Sequence, residues 1–207
     1  MSSILIVCVG LLAQTVFSAR TLVQWIMSEK AKKVLSPTIF WVLSLFASVL
    51  LGLYGWLRQD FALFVGQFIS YFVYVWNLKI KGVRLPGFCW TALVVVPLLV
   101  PVYIAFNLTD FVGAFMMRPD VPQLLMWFGM FGQILLTVRF IYQWWYSRRL
   151  GISELPTGFW WMSLIGAGVS FIYGIFRLDI VLMLGQGFGL LVYGRKLMIG
   201  AKQTDGD

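Results

Sequence analysis

The chain of 207 residues contains no histidine, only two cysteines and eight acidic residues. Without histidine, the sequence offers no imidazole for acid–base catalysis or for metal binding. Cys8 and Cys89 both lie in apolar stretches, which predicts small buried side chains and neither a disulfide nor a metal site. Because no pair of carboxylates and no nucleophile–base pair lies within an apolar stretch, the sequence predicts no enzyme, no metal and no cofactor.

Charged residues of either sign are also scarce. They make up 12% of the chain, whereas a soluble domain contains ~25%. Apolar residues make up 60% and the mean hydropathy is +0.87, values that predict a polytopic membrane protein. The net charge of +8 is scattered between the apolar stretches, so it indicates membrane topology and not a nucleic-acid partner.

Seven apolar stretches are long enough to cross a hydrocarbon core of ~30 Å as helices of ~20 residues. The sequence therefore predicts an all-α membrane protein with seven transmembrane helices. Pro97 and Pro101 lie inside the fourth stretch and predict a kink there. The stretches cover residues 4–27, 37–57, 61–78, 88–108, 124–146, 156–176 and 180–198.

The basic residues between the stretches predict the orientation. With the N-terminus outside, three arginines face outward and eleven basic residues face the cytoplasm together with the C-terminus, as the positive-inside rule requires. A cleaved signal peptide ending near Ala19 is the alternative, but that segment lacks a basic beginning. The outer residues are Arg58, Arg118 and Arg177, and the inner ones are Lys30, Lys32, Lys33, Lys79, Lys81, Arg84, Arg148, Arg149, Arg195, Lys196 and Lys202.

An internal repeat covers most of the chain. A shift of 119 positions aligns residues 10–82 with residues 129–201 without a gap, and 23 of the 73 pairs are identical. Because three helices reverse the chain direction, a linker helix lets the two repeats lie parallel, in a 3+1+3 arrangement typical of transporters. The predicted parts are a first three-helix repeat (1–84), a linker helix and loop (85–122), a second three-helix repeat (123–201) and a cytoplasmic tail (202–207).

Both repeats carry the pattern Gly-x3-Gln-x5-Arg-x3-Gln-Trp-x2-Ser, followed by Pro-x2-Phe-Trp-x2-Ser and later by Tyr-Gly-x2-Arg-x-Asp and Gly-Gln. With these motifs the sequence resembles the lipid-A-disaccharide synthase N-terminal-like domain family, in two tandem copies, and through it the PQ-loop and SWEET families. The resemblance implies a SWEET-like fold and a place in envelope glycolipid metabolism at the bacterial inner membrane. In some bacteria this module precedes the lipid-A glycosyltransferase, but the resemblance does not imply glycosyl transfer by the module itself.

Each repeat has one arginine inside its first span, where a charge at the membrane centre costs ~2.5–3.5 kcal/mol. Helical spacing puts Gln14 and Gln24 in the same sector as Arg20. Three interpretations remain open: the arginines snorkel to the headgroups, they join an internal hydrogen-bond network, or they face a central cavity and hold an anion. The equivalent residues of the second repeat are Arg139, Gln133 and Gln143.

The acidic residues do not balance these arginines, because none lies deep in a span. Two arginines in one cavity would leave positive charge, which a phosphate or carboxylate can balance through paired hydrogen bonds. Asp60 and Asp179 are instead expected to form salt bridges with the arginine two positions earlier. Side chains of the third helices are candidates to bind a sugar headgroup, with helix–helix hydrogen bonding as the alternative; they are Gln67, Gln186, Tyr74 and Tyr193.

Three functions are compatible with these residues. The first is a transporter or flippase for an anionic substrate such as a lipid-linked sugar or polyprenyl phosphate, with the phosphate at the arginines and the tail in a gap between the halves. The second is a SWEET-like facilitator of small neutral sugars. The third is a membrane partner of a glycosyltransferase that transports nothing. The expected partners are thus a membrane lipid or lipid-linked sugar phosphate, or a membrane glycosyltransferase, and the oligomeric state is not predicted.

Overall fold

The computed structural model describes residues 3–32, 34–107, 109 and 122–204. Within these residues it contains seven long helices, and each is long and apolar enough to cross a membrane, which confirms the seven predicted spans. The predicted Arg118 and most of the loop after the linker helix lie outside the described residues. The helices are α1 (Ser3–Ala31), α2 (Thr38–Leu57), α3 (Phe61–Ile80), α4 (Gly87–Phe106), α5 (Gln123–Leu150), α6 (Thr157–Phe176) and α7 (Ile180–Thr204).

The helix ends follow local chemistry more than the edges of the apolar stretches. The α5 helix runs four residues past its predicted end, because Arg148 and Arg149 favour helix even where they leave the membrane. It ends at Leu150 and is capped by Gly151, whose φ of 70° is left-handed. Pro97 and Pro101 lie inside α4 without ending it.

Six of the helices form a closed ring, while α4 lies outside it. Within each repeat the middle helix packs against the other two, so α2 contacts α1 and α3, and α6 contacts α5 and α7. The repeats meet at two equivalent contacts, because the third helix of each packs against the first helix of the other. The linker helix α4 contacts mainly α3 and has no buried residue.

Aromatic residues from both repeats form the main core. Trp41 contacts Tyr74 with ring centres 6.0 Å apart and planes at 44°, and Trp160 contacts Tyr193 at 6.0 Å and 43°. The ring of Phe140 joins the two groups, with its edge toward Tyr74 at 4.9 Å. Equivalent residues of the two repeats thus pack in nearly the same tilted geometry, and Phe140 adds an edge-to-face contact, which aromatic rings favour.

The turns before the third helices join the two repeats. Asp179 accepts hydrogen bonds from the backbone N–H of Leu182 at 3.2 Å and from the hydroxyl of Tyr54 at 3.1 Å, and it lies 3.5 Å from Arg58. The expected salt bridge of Asp179 with its neighbour Arg177 is therefore wrong. Arg58 of the other repeat takes that place, because the helix ends of the two repeats meet here.

The outer surface is apolar, as a surface in contact with lipid tails requires. Phe88, Phe106 and Leu191 are each at least 75% exposed. Cys8 is also exposed, so the prediction that it is buried within the protein is wrong, although both cysteines are free thiols. A small apolar side chain faces lipid at little cost, and sequence alone does not separate that environment from a protein core.

Candidate functional site

The two arginines inside the spans are both buried within the protein. Arg20 is 4% exposed and Arg139 is 6% exposed, so neither side chain snorkels along the lipid surface. Both line one central cavity of about 50 Å3, between α1, α3, α5 and α7. Equivalent positions of the two repeats thus supply two cations to the same space.

Arg20 is held by the hydroxyl groups of Ser44 and Tyr74 and by aromatic rings. Its Nη1 donates to Oγ of Ser44 at 2.6 Å, while its Nε has no hydrogen-bond partner. The guanidinium carbon lies 4.3 Å from the ring centre of Phe17 and 4.9 Å from that of Phe40. Such cation–π contacts stabilise a buried cation by ~2 kcal/mol, but they leave its N–H donors unsatisfied.

Arg139 has a similar but not identical environment. Its Nε donates to the backbone carbonyl of Leu136 at 3.1 Å, and its Nη1 has no partner. The guanidinium carbon lies 4.8 Å from the ring of Phe140, which is also 5.9 Å from that of Arg20. Among the described residues, no carboxylate lies within 4 Å of either arginine.

Six further predicted residues line the same cavity, and two of them have unsatisfied polar atoms. Nε2 of Gln14 and Oε1 of Gln67 are buried without a hydrogen-bond partner. Buried amide groups normally find partners, so both atoms can receive a ligand or a water molecule. The six residues are Gln14, Gln67, Gln133, Gln186, Tyr74 and Tyr193.

The other two predicted glutamines do not line this cavity. The amide of Gln24 donates to the carbonyl of Leu35 at 2.7 Å, and the amide of Gln143 donates to that of Glu154 at 3.0 Å. These two carbonyls occupy equivalent positions in the loops that follow α1 and α5. Gln24 and Gln143 thus hold equivalent loops, at a different depth from the arginines.

Ser44 is a contact of the site that the sequence interpretation missed. It is identical to Ser163 in the repeat alignment and belongs to the motif Pro-x2-Phe-Trp-x2-Ser. That signal was available, but a serine within a span is usually bonded to its own helix, so its contact with an arginine was not expected.

A second space, the lateral groove, opens between the first repeat and α4. It has a volume of about 800 Å3 and an almost entirely apolar lining, which includes Phe68, Phe88 and Val96. The hydroxyl of Tyr71 donates to the carbonyl of Leu93 at 3.0 Å and so ties α3 to α4 across it. Gln67 lines both the groove and the central cavity, so the two spaces are neighbours.

The close approach of α1 and α7 at Gly185 gives a test of this geometry. A Cβ atom at Gly185 would overlap the amide of Gln14, whereas a Cβ atom at Gly194 of the same helix meets nothing within 4 Å. Alanine stabilises an open helical position by ~0.5–1 kcal/mol relative to glycine, so Gly194→Ala should raise the stability, whereas Gly185→Ala should lose that gain because it must displace the end of the Gln14 side chain. Thermal unfolding of the two purified variants checks this, and equal melting temperatures would contradict the packing described.

Comparison with known proteins gives the family. The family model described as Lipid A Biosynthesis N-terminal domain matches residues 9–79 and again residues 128–198. The two matches lie 119 positions apart, the same shift that aligns the internal repeat. No solved structure matches the chain significantly, so the relation to the PQ-loop and SWEET families stays a prediction.

Several curated relatives are named lipid-A-disaccharide synthase. The chain is 29% identical to the protein of Chlamydia caviae over 88% of its own length and 31% of the relative. It is 27% identical to that of Chlamydia felis over 95% of its length and 33% of the relative. The chain thus spans about a third of these relatives. Because the family model covers more than half of the chain, this protein belongs to the Lipid A Biosynthesis N-terminal domain family, in two tandem copies.

Proposed function

We propose that this protein binds the phosphate group of an anionic membrane lipid and carries it across the bilayer, in lipid A or related envelope glycolipid biosynthesis. One observation carries the proposal: two buried arginines line one cavity, no carboxylate of the described residues lies within 4 Å of them, and each has an unsatisfied N–H group. Burying a cation without a counter-charge is costly. A phosphate would balance both charges and accept hydrogen bonds from the planar guanidinium groups.

The volume of the central cavity limits the size of the substrate group that it can enclose. A cavity of about 50 Å3 is far below the ~300–1,000 Å3 of pockets that enclose a drug-sized ligand. It can hold a phosphate group, but not a whole sugar, in the conformation described. A polyprenyl phosphate or simple lipid phosphate therefore fits better than a sugar-bearing one, and a sugar would require the ring of helices to open.

The lateral groove can hold the tail of such a lipid. Its volume of about 800 Å3 and its apolar lining suit a hydrocarbon chain, and burial of apolar surface favours the complex. Gln67 lies where the groove and the cavity adjoin, and its unpaired Oε1 can accept a hydrogen bond from a hydroxyl group or a water molecule, not from an ionised phosphate. A lipid in the groove would thus bring its phosphate toward the arginines beside this amide.

The location and orientation are part of the proposal. The bacterial relatives and the seven apolar helices support the inner membrane. The excess of basic residues at the ends of α1, α3, α5 and α7 supports a cytoplasmic C-terminus. In this orientation the loops held by Gln24 and Gln143 lie on the cytoplasmic side.

Reconstitution tests the substrate class. Proteoliposomes containing the full chain should flip a fluorescent short-chain polyprenyl phosphate faster than protein-free vesicles, and should leave the uncharged polyprenol at the background rate. Because the two probes have the same tail, the difference between their flipping rates measures the effect of the phosphate group. Equal acceleration of both probes would contradict the proposal, and uptake of free neutral sugar would favour the SWEET-like alternative.

A separate observation supports a second candidate function, that of a membrane partner for a glycosyltransferase. The relatives named lipid-A-disaccharide synthase are about three times as long as the aligned segment, so the module occurs there together with other protein. The chain could therefore act as a membrane partner of a glycosyltransferase. Co-purification with such an enzyme, combined with no flipping of either probe, would favour this role.

A further inference from the structure

A third space, the loop vestibule, lies at the end of the ring where α1 meets α2 and α5 meets α6. Its volume is about 640 Å3, and its lining combines polar and apolar groups from both loops. Two lysines line it: Lys196, which is 0% exposed, and the partly buried Lys81. The carboxylate of Glu154 also lines it, so the vestibule has two cations against one anion and is separate from the central cavity.

Lys196 has few partners for a buried cation. Its Nζ donates to the backbone carbonyl of Gln24 at 3.3 Å and lies 5.8 Å from the ring centre of Trp160. An ammonium group has three donors, so this single long hydrogen bond leaves it incompletely satisfied. The neighbouring carboxylate of Glu29 is already paired with Arg195 at 2.7 Å, and no described carboxylate lies within 4 Å of Lys196.

Comparison of the two repeats shows that a charged residue at the position of Lys196 is not needed to support the neighbouring loop. The equivalent of Lys196 in the first repeat is Asn77, whose amide exchanges hydrogen bonds with Gln143 at 3.0 and 3.1 Å. A neutral amide thus supports one loop-holding glutamine completely. The lysine adds a buried positive charge that the loop does not need, in a residue that lines an open space.

Lys81 extends the positive charge to the opening of the vestibule. Burial lowers the pKa of Lys81, and the exposed carboxylate of Glu154 opposes that shift. A lysine whose charge is disfavoured by burial gains from a nearby anion. On the inner side, Trp160 lines both the vestibule and a gap of about 10 Å3 beside Arg20 and Arg139. Trp160 therefore separates the two basic spaces.

We infer that the loop vestibule is a second anion-binding site, in which Lys196 and Lys81 bind a phosphate group. The phosphate belongs either to a lipid headgroup or to a soluble phosphate ester, since both present the same chemistry to an ammonium group. The site deepens the proposed function, because it would receive the phosphate before or after its passage past Trp160. Its binding nevertheless stands apart from the central arginines and is measurable without them.

The test measures binding of inorganic phosphate to the full chain in detergent, in an Arg20→Gln/Arg139→Gln background that removes the central cations. Lys196→Asn, which copies the residue of the first repeat, should weaken the remaining phosphate binding by roughly tenfold or more. Lys81→Gln should weaken it less, and Lys79→Asn, at an exposed position near the same end of α3, should leave it unchanged. Failure of the central site does not affect this result.

A second arm identifies the source of the phosphate. Native mass spectrometry of the same variants, released from nanodiscs of dioleoyl phosphatidic acid and dioleoyl phosphatidylcholine, counts phosphatidic acid adducts. Loss of adducts with Lys196→Asn assigns the site to a lipid headgroup; an effect on inorganic phosphate alone assigns it to a soluble ester. The inference is overturned if the background protein binds neither probe, or if Lys196→Asn and Lys81→Gln bind both as Lys79→Asn does.

Discussion

Replacement of both Arg20 and Arg139 by glutamine should weaken binding of a lipid phosphate in the central cavity by roughly 100-fold or more. Each hydrogen bond to a charged group contributes ~1.5–3 kcal/mol, or roughly a factor of ten or more, and two arginines are lost. Glutamine keeps a polar side chain and one amide donor group but removes the charge. Competition between a lipid phosphate and a fluorescent analogue measures the affinity.

The same substitutions should stabilise the protein without ligand. The two guanidinium groups are buried, have no carboxylate partner in the part of the chain that the structure describes, and repel each other. Removal of such charges relieves a desolvation cost. We expect ~1–2 kcal/mol of added stability, which corresponds to a rise in melting temperature of about 2–8 °C for a chain of this size. A loss of binding together with a gain of stability is typical of residues that serve function.

Arg148→Gln provides the matched control. Arg148 is an exposed arginine of the same helix as Arg139, and its guanidinium lies 5.4 Å from the ring of Trp144. Its loss changes the net charge by one, as Arg20→Gln alone does, so general electrostatic effects should appear in this variant too. The proposal fails if Arg148→Gln weakens binding as much as Arg20→Gln. It also fails if the double variant melts lower, because the arginines would then be structural.

The arginines were predictable from the sequence because two signals converge on them. A charge inside a span is rare, and its recurrence after 119 positions in an otherwise divergent repeat marks it as required. The spans were equally predictable, since length and hydropathy alone define them. The sequence did not show how far along the helix, and so at what depth in the membrane, the cavity ends. Gln24 shares a helical face with Arg20 but lies one turn nearer the loop, and that turn separates the cavity from Leu35.

Contacts between the repeats were beyond the sequence interpretation for another reason. Asp179 and Arg58 are far apart in the chain and lie in different repeats, so only the closed ring brings them to 3.5 Å. A local pairing with Arg177 was the simpler expectation. The lateral groove beside α4 could not be predicted for a similar reason, because the spacing of residues in the sequence does not show against which side of the ring a linker helix packs.

The loop-holding glutamines carry the second large prediction: Gln143→Leu should destabilise the protein by ~2–4 kcal/mol, and Gln24→Leu by about 1 kcal/mol. Gln143 is fully buried and makes hydrogen bonds to Asn77, Ser147 and the carbonyl of Glu154. Leucine would remove four buried hydrogen bonds at once, although Asn77, Ser147 and the carbonyl of Glu154 each keep another partner. The side chain of Gln24 makes one such bond, and its Oε1 already lacks a partner.

A double-mutant cycle separates the network from simple loss of volume. Leucine at position 143 removes two hydrogen bonds of the Asn77 amide, which keeps those with Val73 and Ser153, and Asn77→Val removes the remaining amide. The second substitution should therefore cost less in the Gln143→Leu background than in the wild-type protein, because removal of both partners is less damaging than removal of one. Unfolding in denaturant of the four proteins measures the coupling. Strictly additive costs, or equal costs for Gln24→Leu and Gln143→Leu, would mean that the two repeats support their loops independently of this hydrogen-bond network.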